Sequence, residues 1–143
     1  MEYAVRVLRV PNLIVCGHSD CGEMRALLDE GQLRDLPFLR SWLGYAGPMS
    51  HAFRGVMQDP RVWPAEDRLR VLTELNVIAQ LQSLRAHPWV ARGLKRGNLH
   101  VHGWIYDIAS GEVRCLDPST GSFRPLLLQP TEVETSVEEP IVA

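Results

Sequence analysis

Apolar residues recur along this chain with two different periods. From Ala65 to Arg85, Val71, Leu72, Leu75, Ile78, Leu81 and Leu84 return at three- and four-residue steps, opposite Arg68, Arg70, Glu74 and Gln82. That spacing predicts a long amphipathic helix, ended by Pro88 and followed by a short helix from Trp89 to Lys95 that closes at Gly97. Leu13 to Cys16 is instead a continuous apolar run, the pattern of a strand buried on both faces of a parallel sheet, and Gly17 after it permits a sharp turn. Leu99 to Ile108 reads as a second strand and Val113 to Asp117 as a third. The short connection through Ala109, Ser110 and Gly111 predicts an antiparallel hairpin between them.

Punctuation residues divide the rest. Glu2 to Arg9 reads as the end of a helix, broken by Pro11 and Asn12. A helix from about Cys21 to Glu30 has Ser19 or Asp20 as cap and Gly31 as stop. Pro37 to Ala46 predicts another, with Trp42 and Leu43 packing inward. Between Gly44 and Pro64, the residues Gly44, Gly47, Pro48, Gly55, Pro60 and Pro64 predict a loop or a broken helix. Strands alternating with helices place the chain in the α/β class. Beyond Arg124 the sequence has four Glu, no Lys or Arg, and three Pro. The expected division is therefore a domain over 1–124 and an acidic tail over 125–143, in which Leu126 to Leu128 could dock on a neighbour.

Composition narrows the partners. The chain has 143 residues, 45% of them apolar, and a formal net charge of -2, which gives no polyanion-binding signature, so nucleic acid is not an expected partner. No apolar run approaches the ~18–20 residues of a membrane span, and the N-terminus lacks a basic segment leading into an apolar stretch. The expected location is the cytoplasm, away from any membrane. Three cysteines, Cys16, Cys21 and Cys115, are an odd number without a secretion signal, so reduced thiols are expected.

The candidate chemistry lies in Leu13 to Cys21, LIVCGHSDC. His18 and Cys21 would emerge at the carboxyl end of the first strand, where open α/β sheets build their sites, and imidazole with thiolate suits Zn²⁺. A helix N-terminus beside Cys21 would favour its thiolate and lower its pKa. The spacing alone is a weak motif, and by itself it favours a turn His and a buried Cys over a metal site. His100 and His102 share one face of a strand, a geometry open to metal as well as to the scaffold. His51 and His87 read as solvated. Cys16, Cys115, Trp104 and Tyr106 read as core residues.

The flanks give the motif context. EYAVRVLRVPNLIVCGHSDCGEMRALL resembles the zinc-binding segment of β-class carbonic anhydrases, a helix of the type EYAV-x-x-L leading into a strand that ends CGHS-x-CG. ELNVIAQLQSLRAHPWV and LHVHGWIYDIASGEVRCLD resemble that family's long helix and C-terminal hairpin, in the same order. The resemblance spans roughly Glu2 to Phe123. It implies a mixed, mostly parallel sheet flanked by helices, zinc held by His18 and Cys21, and a dimer or higher homo-oligomer. It also implies reversible hydration of CO₂ to bicarbonate and a proton.

The family's C-x-D-x-R and R-N-A-G-N-like motifs do not occur here. The resemblance therefore implies the C-terminal two-thirds of such an enzyme, incomplete at its N-terminal strands, without the third zinc ligand and without the catalytic Asp/Arg dyad. Three readings follow: a truncated carbonic anhydrase of weak or no activity, a non-catalytic zinc-binding or interaction subunit, and a hydrolase of carbonyl sulfide or carbon disulfide.

Overall fold

The computed structural model describes residues 1–44 and 63–127; the expected loop or broken helix between Gly44 and Pro64 falls mostly on residues 45–62, outside the described residues. In chain order the elements are α1 (Glu2–Arg6), β1 (Asn12–His18), α2 (Gly22–Leu28), a 3-10 turn (Glu30–Leu33), α3 (Pro37–Leu43), α4 (Ala65–Ala86), α5 (Pro88–Arg96), β2 (His100–Tyr106), β3 (Val113–Asp117) and β4 (Ser122–Pro125). The sheet order is β1-β2-β3-β4. β1 and β2 run parallel in the register Val15↔Gly103 and Gly17↔Ile105, and β2–β3 and β3–β4 are antiparallel. The fold is thus α/β, a mixed sheet whose parallel part carries the candidate site, flanked by helices.

Two side-chain clusters meet along α4. Its N-terminal half packs Leu69 and Leu72 against Met24, Ala26 and Leu27 of α2, Leu33 of the 3-10 turn and Leu43 of α3. Its C-terminal half packs Val77 and Leu81 on the sheet against Ile105, with Val15, Val101, Leu116 and Phe123 around them. Close approach depends on two glycines. A Cβ on Gly17 would lie 2.8 Å from Val77 Cγ2 and 3.2 Å from Thr73 Cγ2, and one on Gly103 would lie 2.7 Å from Leu81 Cδ1 and 3.0 Å from Val77 Cγ1. Thr73 is buried here without cost in lost hydrogen bonding, because its hydroxyl donates to the Leu69 carbonyl at 2.9 Å. Gly97 ends α5 in the left-handed region at φ 71°, which is why a glycine stands there.

Several expectations change. β1 is longer than its apolar core and alternates between half-buried and exposed along its length. α4 covers the face of Leu13, Val15 and Gly17, whereas Ile14 is 45% exposed and Cys16 is exposed, contrary to burial on both faces. Tyr106 and Trp104 share that second face by register, and so Tyr106 is exposed and Trp104 half-buried instead of core. Cys115 is also only half-buried. In α3, Leu43 faces the core but Trp42 is 60% exposed, since adjacent positions on a helix point about 100° apart. On α4 the buried positions are Leu69, Leu72, Thr73, Val77 and Leu81, a stripe displaced from the expected one toward the glycines. β4 is an additional strand, four residues whose mostly exposed side chains leave no apolar period to predict it.

The glycine contacts generate a stability prediction. Gly17→Ala should destabilise the fold by about 1–3 kcal/mol, the usual cost of overpacking, because Val77 and Thr73 are β-branched and cannot rotate aside. Adding Val77→Ala should recover part of that loss in urea denaturation, as a non-additive pair. Strictly additive effects would mean that α4 is not seated through this contact.

Candidate metal centre

His18 is the last residue of β1 and Cys21 immediately precedes α2, so a two-residue turn, Ser19–Asp20, separates the two donors. Asp20 takes φ 54°, a left-handed conformation that Asp tolerates better than most residues, and its carboxylate accepts from Arg25 at 3.0 Å. The turn is tied to the sheet on both sides. Ser19 N–H donates to the Tyr106 carbonyl at 2.9 Å, and Ser19 Oγ accepts from the Ile108 N–H at 2.9 Å. The expected side-chain cap by Ser19 or Asp20 is absent: Cys21 occupies the N-cap position of α2 and makes no cap bond, because Ser19 is engaged by the hairpin and Asp20 by Arg25.

His18 is exposed, and its Nδ1 lies 2.8 Å from the Ser19 carbonyl. A carbonyl only accepts, so Nδ1 is the donor, and in the neutral ring this leaves Nε2 as the nitrogen with the lone pair, the tautomer a metal ligand requires. Cys21 is half-buried against the cluster formed by α2 and α4, and its thiol donates to Glu23 Oε2 at 3.1 Å. Burial pushes the Cys21 thiol above its ordinary range, and the Glu23 carboxylate adds to the rise, outweighing backbone N–H groups that act the other way. The expectation of a lowered pKa is therefore corrected: α2 spans only seven residues, and desolvation dominates its N-terminal field. Glu23 is held below the usual carboxylate range, first by that thiol bond, with the nearby His18 contributing.

The donor chemistry suits zinc at these two positions, an imidazole nitrogen and a sulfur. Among the described residues, however, no group of three or more His, Cys, Asp or Glu is gathered closely enough to hold a metal ion. His100 and His102 do not join them. They belong to β2, beside Asn12 and Ile14, and His102 Nε2 bonds Asn12 Oδ1 at 2.9 Å, a scaffold role. His87 occupies the N-cap position of α5 without a side-chain cap bond, half-buried, with Nδ1 out of contact with water and without a hydrogen-bond partner among the described residues, so it is not the solvated His expected; His51 lies outside them.

A cleft of about 410 Å³ opens where β1 and β2 end, walled by His18, Leu69, Thr73, Ile105, Asp107 and Arg114 among others. Arg114 of β3 reaches across to Glu74 of α4 at 2.7 Å, a partly buried pair that braces this wall. Asp107 accepts from the Ser110 N–H at 2.8 Å and from its hydroxyl at 3.0 Å, and these bonds hold its carboxyl below the usual range. Ser19, Asp107 and the Glu74–Arg114 pair had no assigned role in the sequence analysis. The Asp-x-x-Ser spacing at 107–110 was the available signal for the turn.

The raised Cys21 thiol gives a measurable pH effect. Alkylation of Cys21 in a Cys16→Ser, Cys115→Ser background should rise with pH along a curve displaced upward from an ordinary thiol. Glu23→Gln should move the curve down, since it removes both a like charge and the acceptor that favours the protonated form. An unmoved profile would show that Glu23 does not act on this sulfur.

The chain matches the family described as carbonic anhydrase over residues 1–113. It is 44% identical over 140 residues to a carbonic anhydrase of Pseudomonas aeruginosa, covering 98% of this chain and 61% of that protein. The solved β-carbonic anhydrase CcaA superposes with a TM-score of 0.79 at 34% identity, covering 90% of this chain and 57% of that one. One of two tetrameric β-carbonic anhydrases of Sordaria macrospora superposes at 0.69 with 29% identity, over 80% of this chain and 56% of that one. The chain thus spans about three-fifths of the length of such relatives. With a family match across most of its length and this strand–turn–helix at its centre, the chain belongs to the β-class carbonic anhydrases.

Proposed function

We propose that this chain serves reversible hydration of CO₂ to bicarbonate and a proton, with zinc held through His18 Nε2 and the Cys21 thiolate. Family membership over residues 1–113 carries the reading, and the protonation of His18 at Nδ1 supports the ligand assignment. Zinc would supply Lewis acidity at this site. The chain's own residues would shape the rest. Leu69, Thr73 and Ile105 offer an apolar wall to an uncharged linear substrate, while Arg114, braced by Glu74, places a cation near an anionic product. Ser19, fixed between the Ile108 N–H and the β1 end, positions His18 and does not itself touch substrate.

A second reading is a non-catalytic zinc-binding or interaction subunit, favoured by the two-donor grouping among the described residues. The cytoplasm is the proposed location, in keeping with three free cysteines. Of the described helices, none is long and apolar enough to cross a membrane. A homo-oligomer is proposed as well, because among the described residues β1 pairs with β2 alone and its outer face carries the exposed Ile14 and Cys16 beside that open edge.

Chelator competition and stopped-flow hydration test the two readings together. His18→Ala and Cys21→Ala should each weaken zinc binding by more than the ~10–100-fold typical of losing a mere supporting partner, and Cys115→Ala should change little. Because two donors give weak chelation, hydration by this chain should be weak, rise with added zinc and be lost in His18→Ala. Stoichiometric zinc without hydration would favour the non-catalytic reading. Unchanged zinc affinity in Cys21→Ala would refute the ligand assignment.

The open β1 edge makes assembly measurable too. Light scattering at micromolar concentration should report dimers or larger species. A monodisperse, cooperatively melting monomer would refute the proposal that this edge drives association.

A further inference from the structure

At the opposite end of the sheet, α1 and α5 enclose a cleft of about 490 Å³ lined by Arg6, Arg9, Arg92, Arg96, Trp89 and Asn98 among others, with no acidic residue in its wall among the described residues. Three of these come from one face of α5, where Trp89, Arg92 and Arg96 follow at three- and four-residue steps. Trp89 organises the charge. The Arg6 guanidinium stands 4.2 Å from the indole centroid and that of Arg92 4.7 Å, so two cations from different helices are held on one ring. Arg6 also bonds Glu2 at 2.8 Å on its own helix.

Arg9 supplies an independent sign. It follows α1 with φ 52°, in the left-handed region where a glycine or asparagine usually ends a helix. The backbone would be easier with glycine, yet a long cationic side chain stands there and lines the cleft. Glu2 counters Arg6, but Arg9, Arg92 and Arg96 converge beside it with no ion pair among the described residues, and a multivalent anion would remove their mutual repulsion while accepting several charge-assisted hydrogen bonds. The indole already carries guanidiniums, which leaves charge and oxygen geometry, and not base stacking, as the basis of recognition.

We propose that the α1–α5 cleft is a binding site for a compact multivalent phosphate, recognised through its phosphoryl oxygens by Arg6, Arg9, Arg92 and Arg96. Its volume falls within the ordinary range for small-molecule sites. Inorganic polyphosphate and the phosphate chain of a nucleotide share this chemistry. The site is separate from His18 and Cys21, and its occupancy does not depend on zinc or on hydration.

Calorimetry on the full chain with tripolyphosphate, at fixed ionic strength in sodium chloride, tests it. Binding should be saturable at one site per chain, and Arg92→Gln and Arg96→Gln should each weaken it by roughly tenfold. Arg9→Gly is the decisive variant. It should weaken binding similarly while leaving the thermal midpoint unchanged or raised, because glycine relieves the left-handed backbone. ATP binding as tightly as tripolyphosphate would identify a nucleotide's phosphate chain as sufficient; tripolyphosphate alone would point to the inorganic anion. Full affinity in Arg9→Gly and Arg96→Gln would overturn the site. Binding of a single-stranded oligonucleotide in place of both small anions would also overturn it.

Discussion

Val77 is the contact on which the rest of the molecule is seated. Its two methyl groups point at the positions where Gly17 and Gly103 lack side chains, one on each of the two parallel strands. α4 can therefore approach the sheet closely enough to bury Val77 to 1% exposure and Leu81 to 3%. Any side chain at either glycine would lift the helix. Lifting it would also separate the N-terminal half of α4, with Leu69 and Leu72, from α2 and the 3-10 turn. One tight contact thus sets the position of the helix that joins both clusters.

The candidate metal centre inherits its geometry from that seating. Gly17 immediately precedes His18, so the residue that admits α4 also fixes where the imidazole leaves the sheet. Four residues before Val77, Thr73 adds its methyl to the same contact and to the cleft wall, and Glu74 beside it reaches Arg114 on β3. Packing and polar bracing therefore act from the same turn of α4. Removing Glu74 would leave Arg114 partly buried without its counterpart, which costs more than the pair contributes, whereas Glu74 would keep Arg70 at 3.5 Å if Arg114 were lost.

Strong local patterns were the legible part of the sequence. α4, α5, β2, β3 and their hairpin follow from periodicity and from Gly97 and Pro88, and the resemblance carried by LIVCGHSDC and its flanks agrees with the family match. What escaped was tertiary. An apolar run such as Leu13 to Cys16 has the same composition whether one face of its strand is covered or two, so the exposure of Ile14 and Cys16 could not be read from it. The helix dipole suggested a lowered Cys21 pKa, but burial against α4, a long-range contact, reverses the sign. Ser19 and Asp107 gained their roles only when β1 and the β2–β3 hairpin came together, 89 positions apart for Ser19 and Ile108.

Net charge misleads for a related reason. A formal value of -2 sums over the chain and carries no record of position. The fold gathers Arg6, Arg9, Arg92 and Arg96 into one cleft at the end of the sheet away from His18, where Glu2 pairs with Arg6, while other acidic residues that balance the sum lie elsewhere, as Asp20 with Arg25 and Glu74 with Arg114 do. Coulombic attraction falls off over about 10 Å in ordinary salt, so a distant carboxylate does little to neutralise that cluster. Local potential is set by which helices touch, and here the contact between α1 and α5, organised around Trp89, creates a cationic surface that composition averages away.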